Sequence, residues 1–500
     1  MSSFKVNIKW GKEKYTSIEC NVSESPDLFK AQIFALTGVQ PDRQKVMLKG
    51  ATLKDAWSGF KLKDGVTFLI MGSADALPEA PVQKTLFMED MTDEQLASAF
   101  EMAAGLKNLG NSCYLNATVQ CLHSVPELRE ALQKFDGKIN PGMAAIQPAE
   151  SITAAMRNLF DNMDKTTDGI LPIYLLQLLH IAFPQFAEKA ENGAPQQQDA
   201  NECWVQLMRL LQQKLPLALS AGEVQPTEAA SATAKKGFID QYFGVTFEST
   251  LKCVEAEDEP ITKSTELVLQ LSCFITQEVK YIHTGLKNRL MENIEKTSPT
   301  LKRDAQYIKE SHISRLPAYL TIQMVRFYYK EKEAISAKIL KDVKFPMVLD
   351  VFDLCTPDLK EKLAPIRGKF KEMEDRKIEE AAKLKQAGNK SKLLSEKKEP
   401  AKLLPYDFPD DVGSNNSGYY QLQAVLTHQG RSSSSGHYVG WVRRKEDEWT
   451  KFDDDTVSPI SSEDVLKLSG GGDWHCAYVL LYGPRRLEEP PQAQEPMQEN

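Results

Sequence analysis

One cysteine in this chain stands where a thiol can react. In NLGNSCYLNATVQC, residues 108–121, Asn108, Gly110, Asn111 and Ser112 are turn and cap residues, and beyond them Leu115, Val119 and Leu122 recur at helical spacing. The pattern predicts a helix with Cys113 in its first turn, where unpaired amides and the macrodipole favour the thiolate, the nucleophilic form. A cysteine on a helix is more often a small buried hydrophobe. The chemistry therefore needs a base, and something to orient that base.

Among the seven histidines, His437 has the most distinctive setting: it follows GRSSSSG (residues 430–436) and opens the alternating run His437–Val442. Asp453, Asp454 and Asp455 come after Trp449 and Phe452 in EWTKFDDDTVS. If these two strands pair, an aspartate lands beside the imidazole, orienting it and stabilising the imidazolium. Cys, His and Asp in that order form a thiol-hydrolase set. Three aspartates in a row also fit a plain solvated turn.

The elements that must position these residues occupy a chain of 500 residues, 42% hydrophobic and 26% charged, the profile of an ordinary globular protein. A net charge of -8 speaks against nucleic acid as a main partner. No apolar run approaches the ~20 residues of a membrane span, and MSSFKVNIKWGKEKY lacks the apolar core of a secretory leader. The eight cysteines include no C-x-x-C pair. That speaks against a disulfide framework and a four-cysteine zinc site and suggests reduced thiols, with the chain cytoplasmic and nuclear. No cofactor is expected.

Residues 1–73 carry 11 Lys+Arg against 7 Asp+Glu and have their own order. FKVNIKW and KYTSIECNV flank the turn Gly11-Lys12-Glu13. A helix begins at the cap Ser25 with Pro26 behind it and stops at Gly38, and the strands QKVMLKG and VTFLIMG follow. This ββαββ order resembles a ubiquitin-like β-grasp domain; it runs on through Met71-Gly72-Ser73-Ala74 rather than ending in a di-glycine tail, which leaves it a binding role. Residues 74–96 read as a linker and 219–237 as a mobile loop. Residues near 357–404, crowded with Lys and Glu, read as an exposed helical insertion with little apolar face, and 485–500 as a disordered tail.

Four boxes now stand in order: GLKNLGNSCYLNATVQC, QQQDANECWVQLM, LPAYLTIQMVRF with KFPMVLD, and YYQLQAVLTHQGRSSSSGHYVGWV with WTKFDDDTV. They resemble those of the ubiquitin-specific proteases. The resemblance implies an α+β protein: the β-grasp domain, then a thumb–palm–fingers catalytic domain of papain-like cysteine peptidase type over 97–484. It implies Cys113 as nucleophile, His437 as base, Asp453 as orienting acid and Asn108 as oxyanion donor. Asp199 and Glu202, at i and i+3, would share a helix face toward the two arginines of the ubiquitin tail. Many relatives hold zinc in the fingers; here that region offers only Cys253 and Cys273, so no metal is expected.

With the N-terminal module, the resemblance extends to proteasome-associated members of the family. It implies ubiquitin and its conjugates as substrates and a base subunit of the 26S proteasome as partner, bound through an apolar patch around Met47 and Met71. The free chain is expected to be a monomer. Loops around Ser432, Ser433, Ser434 and Ser435, and around Tyr328 and Tyr329 in YYKEKEAISAKI, would lie over the tail channel and gate it. The competing reading is a catalytically silent ubiquitin receptor. A general papain-like protease is a third reading, weakened because the papain cysteine signature is absent.

Overall fold

The computed structural model describes residues 3–54, 56–58, 60–72, 103–190, 193–218, 237–330, 335–386, 402–432, 435–445 and 447–489. The chain forms two compact units, Met1–Asp90 and Met91–Asn500. The linker expected over 74–96, residues 219–236 of the expected loop, the end of the expected insertion over 387–401, and 490–500 of the expected tail lie outside the described residues.

In the first unit β1 (Ser3–Trp10), β2 (Glu13–Asn21), β3 (Lys45–Leu48), β4 (Ala51–Thr52) and β5 (Thr67–Met71) form one sheet in the order β2-β1-β5-β3-β4, with β1 and β5 parallel. The helix Pro26–Thr37 starts as the sequence predicts. Ser25 Oγ accepts from the Asp27 amide at 3.3 Å, and Gly38 closes the helix at φ 70°, a conformation that costs glycine little. Strand alternation sends Phe68 and Ile70 inward with Val6, Ile8, Phe29 and Ile33. The same alternation leaves Leu69 43% and Met71 53% exposed. Because Met47 pairs with Leu69 and Lys45 with Met71, these four side chains share the outer face.

The second unit begins with a helical layer: Cys113–His123, Pro126–Gln133, Pro148–Met163, Ile173–Ala182 and Ala200–Lys214. Four antiparallel strands follow as one sheet, β7-β6-β10-β9, made of β6 (Val245–Cys253), β7 (Thr262–Val268), β9 (Met291–Thr297) and β10 (Asp304–Arg315). The ten-stranded sheet runs β18-β17-β16-β15-β19-β11-β8 and takes in β12, β13 and β14 at its side. Its members are β8 (Leu271–Phe274), β11 (Leu320–Val325), β12 (Phe327–Lys330), β13 (Ile335–Lys338), β14 (Val348–Asp350), β15 (Tyr419–Ser432), β16 (Ser435–Arg443), β17 (Glu448–Asp453), β18 (Thr456–Ser461) and β19 (Cys476–Pro484). One apolar cluster joins the helices to one face of this sheet through Leu115, Val119, Trp204, Leu426 and Leu481; a second, with Ile322, Val425, Val439 and Leu480, fills the other face. Helical layer, large sheet and small sheet correspond to the expected thumb, palm and fingers.

Several expectations change. The charged region begins with a 30-residue helix, Pro357–Gln386, and from Leu359 to Met373 it does carry an apolar stripe: Leu359, Leu363, Phe370 and Met373 are buried. The stripe lies N-terminal to the Lys/Glu-rich run, where Pro365 and Gly368 obscure its period. Residues 485–489 are ordered: Leu487 joins Phe370 and Met373 in one cluster, Leu404 N donates to Leu487 O at 2.8 Å, and Arg485 pairs with Glu374. The first residues of the expected tail are thus bound to the long helix, because Leu487 has an apolar stripe to cover. Cys253 lies in the small sheet but Cys273 belongs to the large one, each buried in a different apolar cluster.

Candidate active site

The helix that opens with Cys113 is buried on every side from Cys113 to Leu122, so more than one apolar stripe holds it. It crosses β16 where Gly440 leaves room: a Cβ there would stand 3.3 Å from Ala117 O. The expected cap is not made. Ser112 Oγ instead accepts from the Leu109 amide at 2.8 Å, and Asn108 Oδ1 accepts from the amides of Gly110 (2.9 Å) and Ser112 (3.2 Å). The polar turn is braced internally, and the amide of Cys113, at the first position of the helix, has no intrahelical acceptor.

The histidine comes from the neighbouring hairpin. Strands β16 and β17 pair antiparallel with Gly440 opposite Phe452 and Trp441 opposite Lys451, a register that carries His437 and Asp453 onto one face. His437 Nε2 and Asp453 Oδ1 lie 2.6 Å apart, and Lys451 Nζ holds the other carboxylate oxygen at 2.8 Å. Burial pushes the Asp453 carboxyl up, but Lys451 and His437 together hold it below its ordinary value. His437 is raised to about 9, first by its hydrogen bond with Cys113 and then, against burial, by Asp453. Its neighbours go the other way. Burial first, then nearby positive charge, lowers His428 to about 3 and His475 to about 4. Near neutral pH only one of these three imidazoles is charged.

That charge is tied to the thiol. The folded pKa lies above the ordinary 6.5, so the imidazolium stabilises the site fully below pH ~6.5 and the contribution is lost as pH rises through about 9. In a Cys113→Ala variant the largest upward influence is removed. The NMR titration of His437 is expected to move down, and an unchanged midpoint near 9 would show that Asp453 alone sets it.

Around the sulfur, Cys113 Sγ accepts from Gln197 Nε2 at 3.3 Å and from the Tyr438 amide at 3.5 Å, and the residue is 2% exposed. Asp454, in the left-handed region at φ 54°, ties the two halves together. Its Oδ2 accepts from Asn108 Nδ2 at 2.9 Å, its Oδ1 from Asn116 Nδ2 at 2.8 Å, and its carbonyl from the Leu106 amide at 3.0 Å. Gly105 permits this approach, since a Cβ there would lie 2.6 Å from Asp455 Cα. The amide of Asn108, expected to face an oxyanion, is thus engaged with Asp454.

The expected tail-binding pair is arranged differently from the sequence reading. Asp199 is the N-cap of Ala200–Lys214: Oδ1 accepts from the amides of Asn201 (2.7 Å) and Glu202 (3.1 Å), and Oδ2 from Tyr478 Oη at 2.7 Å. Burial raises its carboxyl, and the Tyr478 hydroxyl works against that. Glu202 is exposed and accepts from Gln185 at 3.2 Å. Asp-x-x-Glu is also a helix-start signature, so the two do not form one exposed helical face.

Both expected loops are largely strand. β12 and β13 form a hairpin with Tyr328 opposite Ala337 and Tyr329 opposite Ser336. β15 and β16 close with Ser432 opposite Ser435, and Ala337 pairs with Ser432, which joins the two hairpins. Tyr328 is exposed; Ser433, Ser434 and residues 331–334 lie outside the described residues. Gly436 (φ 124°) allows β16 to approach β15 closely, since a Cβ would stand 2.1 Å from Gln429 O. Sequence reasoning treated these runs as loops because their polar composition hid the backbone pairing.

His437, Asp453 and Asp454 place ligand-type atoms within 4.8 Å of one another, but their carboxylates are held by Lys451, Asn108 and Asn116, an arrangement suited to proton transfer. The sequence reading did not single out Gln197, Lys451 or Asn116. Gln197 lies within QQQDANECWVQLM and Asn116 within GLKNLGNSCYLNATVQC, whereas the register that brings Lys451 to Asp453 is invisible without the sheet.

Comparison with known proteins agrees with this geometry. Residues 104–482 match the family model described as ubiquitin carboxyl-terminal hydrolase. The chain is 42% identical over 491 residues to ubiquitin carboxyl-terminal hydrolase 6 of Arabidopsis thaliana, covering 96% of this chain and 98% of the relative. It is 40% identical to ubiquitin carboxyl-terminal hydrolase 14 of Caenorhabditis elegans (97% and 94% covered) and 37% identical to ubiquitin carboxyl-terminal hydrolase 6 of Schizosaccharomyces pombe (95% and 98%). With a thiol, an imidazole and a carboxylate joined in its core, the chain belongs to the ubiquitin carboxyl-terminal hydrolase family and is a cysteine-type ubiquitin hydrolase.

Proposed function

We propose that this protein removes ubiquitin from conjugates held at the proteasome, cleaving the isopeptide bond after the ubiquitin C-terminus, and that it is gated when free. The Cys113–His437–Asp453 relay, with His437 Nε2 2.6 Å from Asp453, is the observation that carries the chemistry. Cys113 Sγ attacks the terminal glycine carbonyl, and the amide of Cys113 donates to the oxyanion, joined by Asn108 once it turns from Asp454. The imidazolium of His437 gives its proton to the leaving lysine amine. A water, deprotonated by the same ring, then hydrolyses the thioester and restores the thiol. Asp199 and Glu202 at the start of their helix supply negative charge to the tail's arginines.

The gating reading rests on the joined hairpins. His437 sits two residues from Ser435, whose strand end is paired with Ser432 and, through Ala337, with the hairpin bearing Tyr328 and Tyr329. A contact that shifts either hairpin end reaches the base directly. The outer face of Met47, Leu69 and Met71 is the docking surface for a proteasome base subunit. Docking raises the effective concentration of the catalytic unit beside the particle, so weak second contacts displace the gates. All eight cysteines are free and buried, in keeping with a monomer working in the reducing cytoplasm and nucleus.

The test is hydrolysis of a fluorogenic ubiquitin conjugate by the full-length chain with and without proteasome. The rate is expected to rise on addition of the particle, and equal rates would end the gating reading. Leu69→Asp, which places a charge in the outer face without touching the buried core, is expected to weaken proteasome binding by at least tenfold while leaving the unstimulated rate unchanged. Undiminished binding would move the docking surface elsewhere.

A further inference from the structure

Gln197 is buried, with 6% of its surface exposed, and its carboxamide lies against the nucleophile: Nε2 donates to Cys113 Sγ at 3.3 Å, while the Cys113 thiol, when protonated, donates to Oε1 at 3.7 Å, a contact that the thiolate gives up. A long polar side chain in such a place needs a reason, because burying a carboxamide costs free energy unless it is bonded. The segment that carries it is fixed at both ends. Upstream, Asn111 Nδ2 donates to Pro195 O at 2.8 Å and Gly110 packs on the Pro195 ring; downstream, Asp199 caps the next helix. The carboxamide is therefore held against the turn that bears Cys113.

Asn108, the donor expected from the family pattern, has both ends of its carboxamide engaged: Nδ2 with Asp454, Oδ1 with the amides of Gly110 and Ser112. Gln197 is bonded to the reacting atom itself. We propose that Gln197 is a catalytic residue whose Nε2–H first holds Cys113 Sγ as the thiolate and then passes to the oxyanion of the tetrahedral intermediate. This deepens the proposed function and rests on Cys113 being the nucleophile.

Negative charge leaves sulfur and appears on oxygen as the new carbon–sulfur bond forms. That oxygen is bonded to the attacked carbon, two bonds from Sγ, so a rotation of the carboxamide carries the donor from one atom to the other. The donor follows the charge, which is what differential stabilisation of a transition state requires. Proton balance is untouched, since Gln197 donates a hydrogen bond and transfers nothing. The titratable groups that feel the Cys113 thiol are His437 from β16, backed by Asp453, then Tyr438 on the same strand, which also feels Asp199, and Tyr114 beside Cys113 on its own helix, which also feels Cys203.

The test compares wild type, Gln197→Glu and Gln197→Met in the full-length protein, by steady-state hydrolysis of a fluorogenic ubiquitin conjugate and by the pH profile of Cys113 alkylation with iodoacetamide. Glu keeps the shape but replaces the donor with a carboxylate; Met keeps the length and removes the donor without adding a charge. Expected are a fall in kcat of roughly 10²-fold at nearly constant KM, and an alkylation midpoint moved to higher pH, further for Glu than for Met. Wild-type kcat in both variants, a rise in KM with kcat unchanged, or a fall in kcat with an unmoved alkylation midpoint would each overturn the role. Wild-type protein that neither hydrolyses the conjugate nor alkylates at Cys113 would instead remove the nucleophile reading, and this inference with it.

Discussion

Cys113→Ala is expected to reduce hydrolysis of a ubiquitin conjugate to background while ubiquitin binding is retained. The thiol supplies the bond-forming atom but, at 2% exposure, almost no surface for a protein substrate to touch. The other cysteines of the helical layer cannot replace it. Cys121, eight residues along the same helix, is buried with its thiol pushed up to about 12, and burial in the Ala200–Lys214 helix pushes the Cys203 thiol up as well. Neither ionises near neutral pH. Turnover in the variant above a few per cent of wild type, measured with the fluorogenic conjugate, would require a second nucleophile. Loss of ubiquitin affinity, measured by calorimetry on the same protein, would mean that the small thiol-to-methyl change disturbs the turn braced by Asn108 and Ser112.

Arg326→Met is expected to destabilise the catalytic unit by about 3–5 kcal/mol, as loss of several hydrogen bonds from one buried donor to buried carbonyls does. Arg326 is fully buried, and its guanidinium donates to four backbone carbonyls: Ala477 at 2.7 Å, Ile339 at 3.1 Å, Lys341 at 2.8 Å and Ser469 at 2.6 Å. These oxygens come from β19, the segment after β13, and the turn before Gly470. Gly470 itself, at φ 123°, leaves space where a Cβ would meet Lys341 O at 2.5 Å. Methionine matches the stem but strands the carbonyls, each costing about 1–3 kcal/mol when buried unsatisfied. Against a total stability of about 5–15 kcal/mol, that is a large share. Denaturant unfolding of the full chain, followed by the tryptophans of the catalytic unit, checks it. A loss under about 1 kcal/mol would mean that water refills the vacated site.

Much of the local architecture was legible because it depends on neighbours in sequence. Ser25, Pro26 and Gly38 bound a helix through capping and backbone freedom that act within a few residues, and the structure places all three in those positions. The alternation of VTFLIMG separates Phe68 and Ile70 from Leu69 and Met71 in the same way. The start of a helix at Cys113 was equally local, although Ser112 turned out to brace the turn rather than cap the helix. Composition misled where it averaged over unlike halves. The Pro357–Gln386 helix hides its apolar stripe in front of a charged run, and the serine-rich stretch looks like loop although its backbone is paired nearly to the tip.

By itself the sequence determined which residue types were available for thiol chemistry, that they came in the order Cys, His, Asp, and that a ubiquitin-like module preceded them. Residue type and spacing could not decide which aspartate of Asp453, Asp454 and Asp455 meets the imidazole, although the family resemblance pointed to Asp453, because identical side chains differ only in the face to which the register assigns them. The antiparallel pairing of β16 with β17 gives Asp453 to His437, and the left-handed turn gives Asp454 to Asn108 and Asn116. Nor could they place Gln197 on the sulfur, 84 residues away along the chain. Contacts of that range exist only once the helical layer has packed on the large sheet, since it is burial of apolar surface, rather than any local preference, that brings the segments of Cys113, Gln197 and His437 to one point.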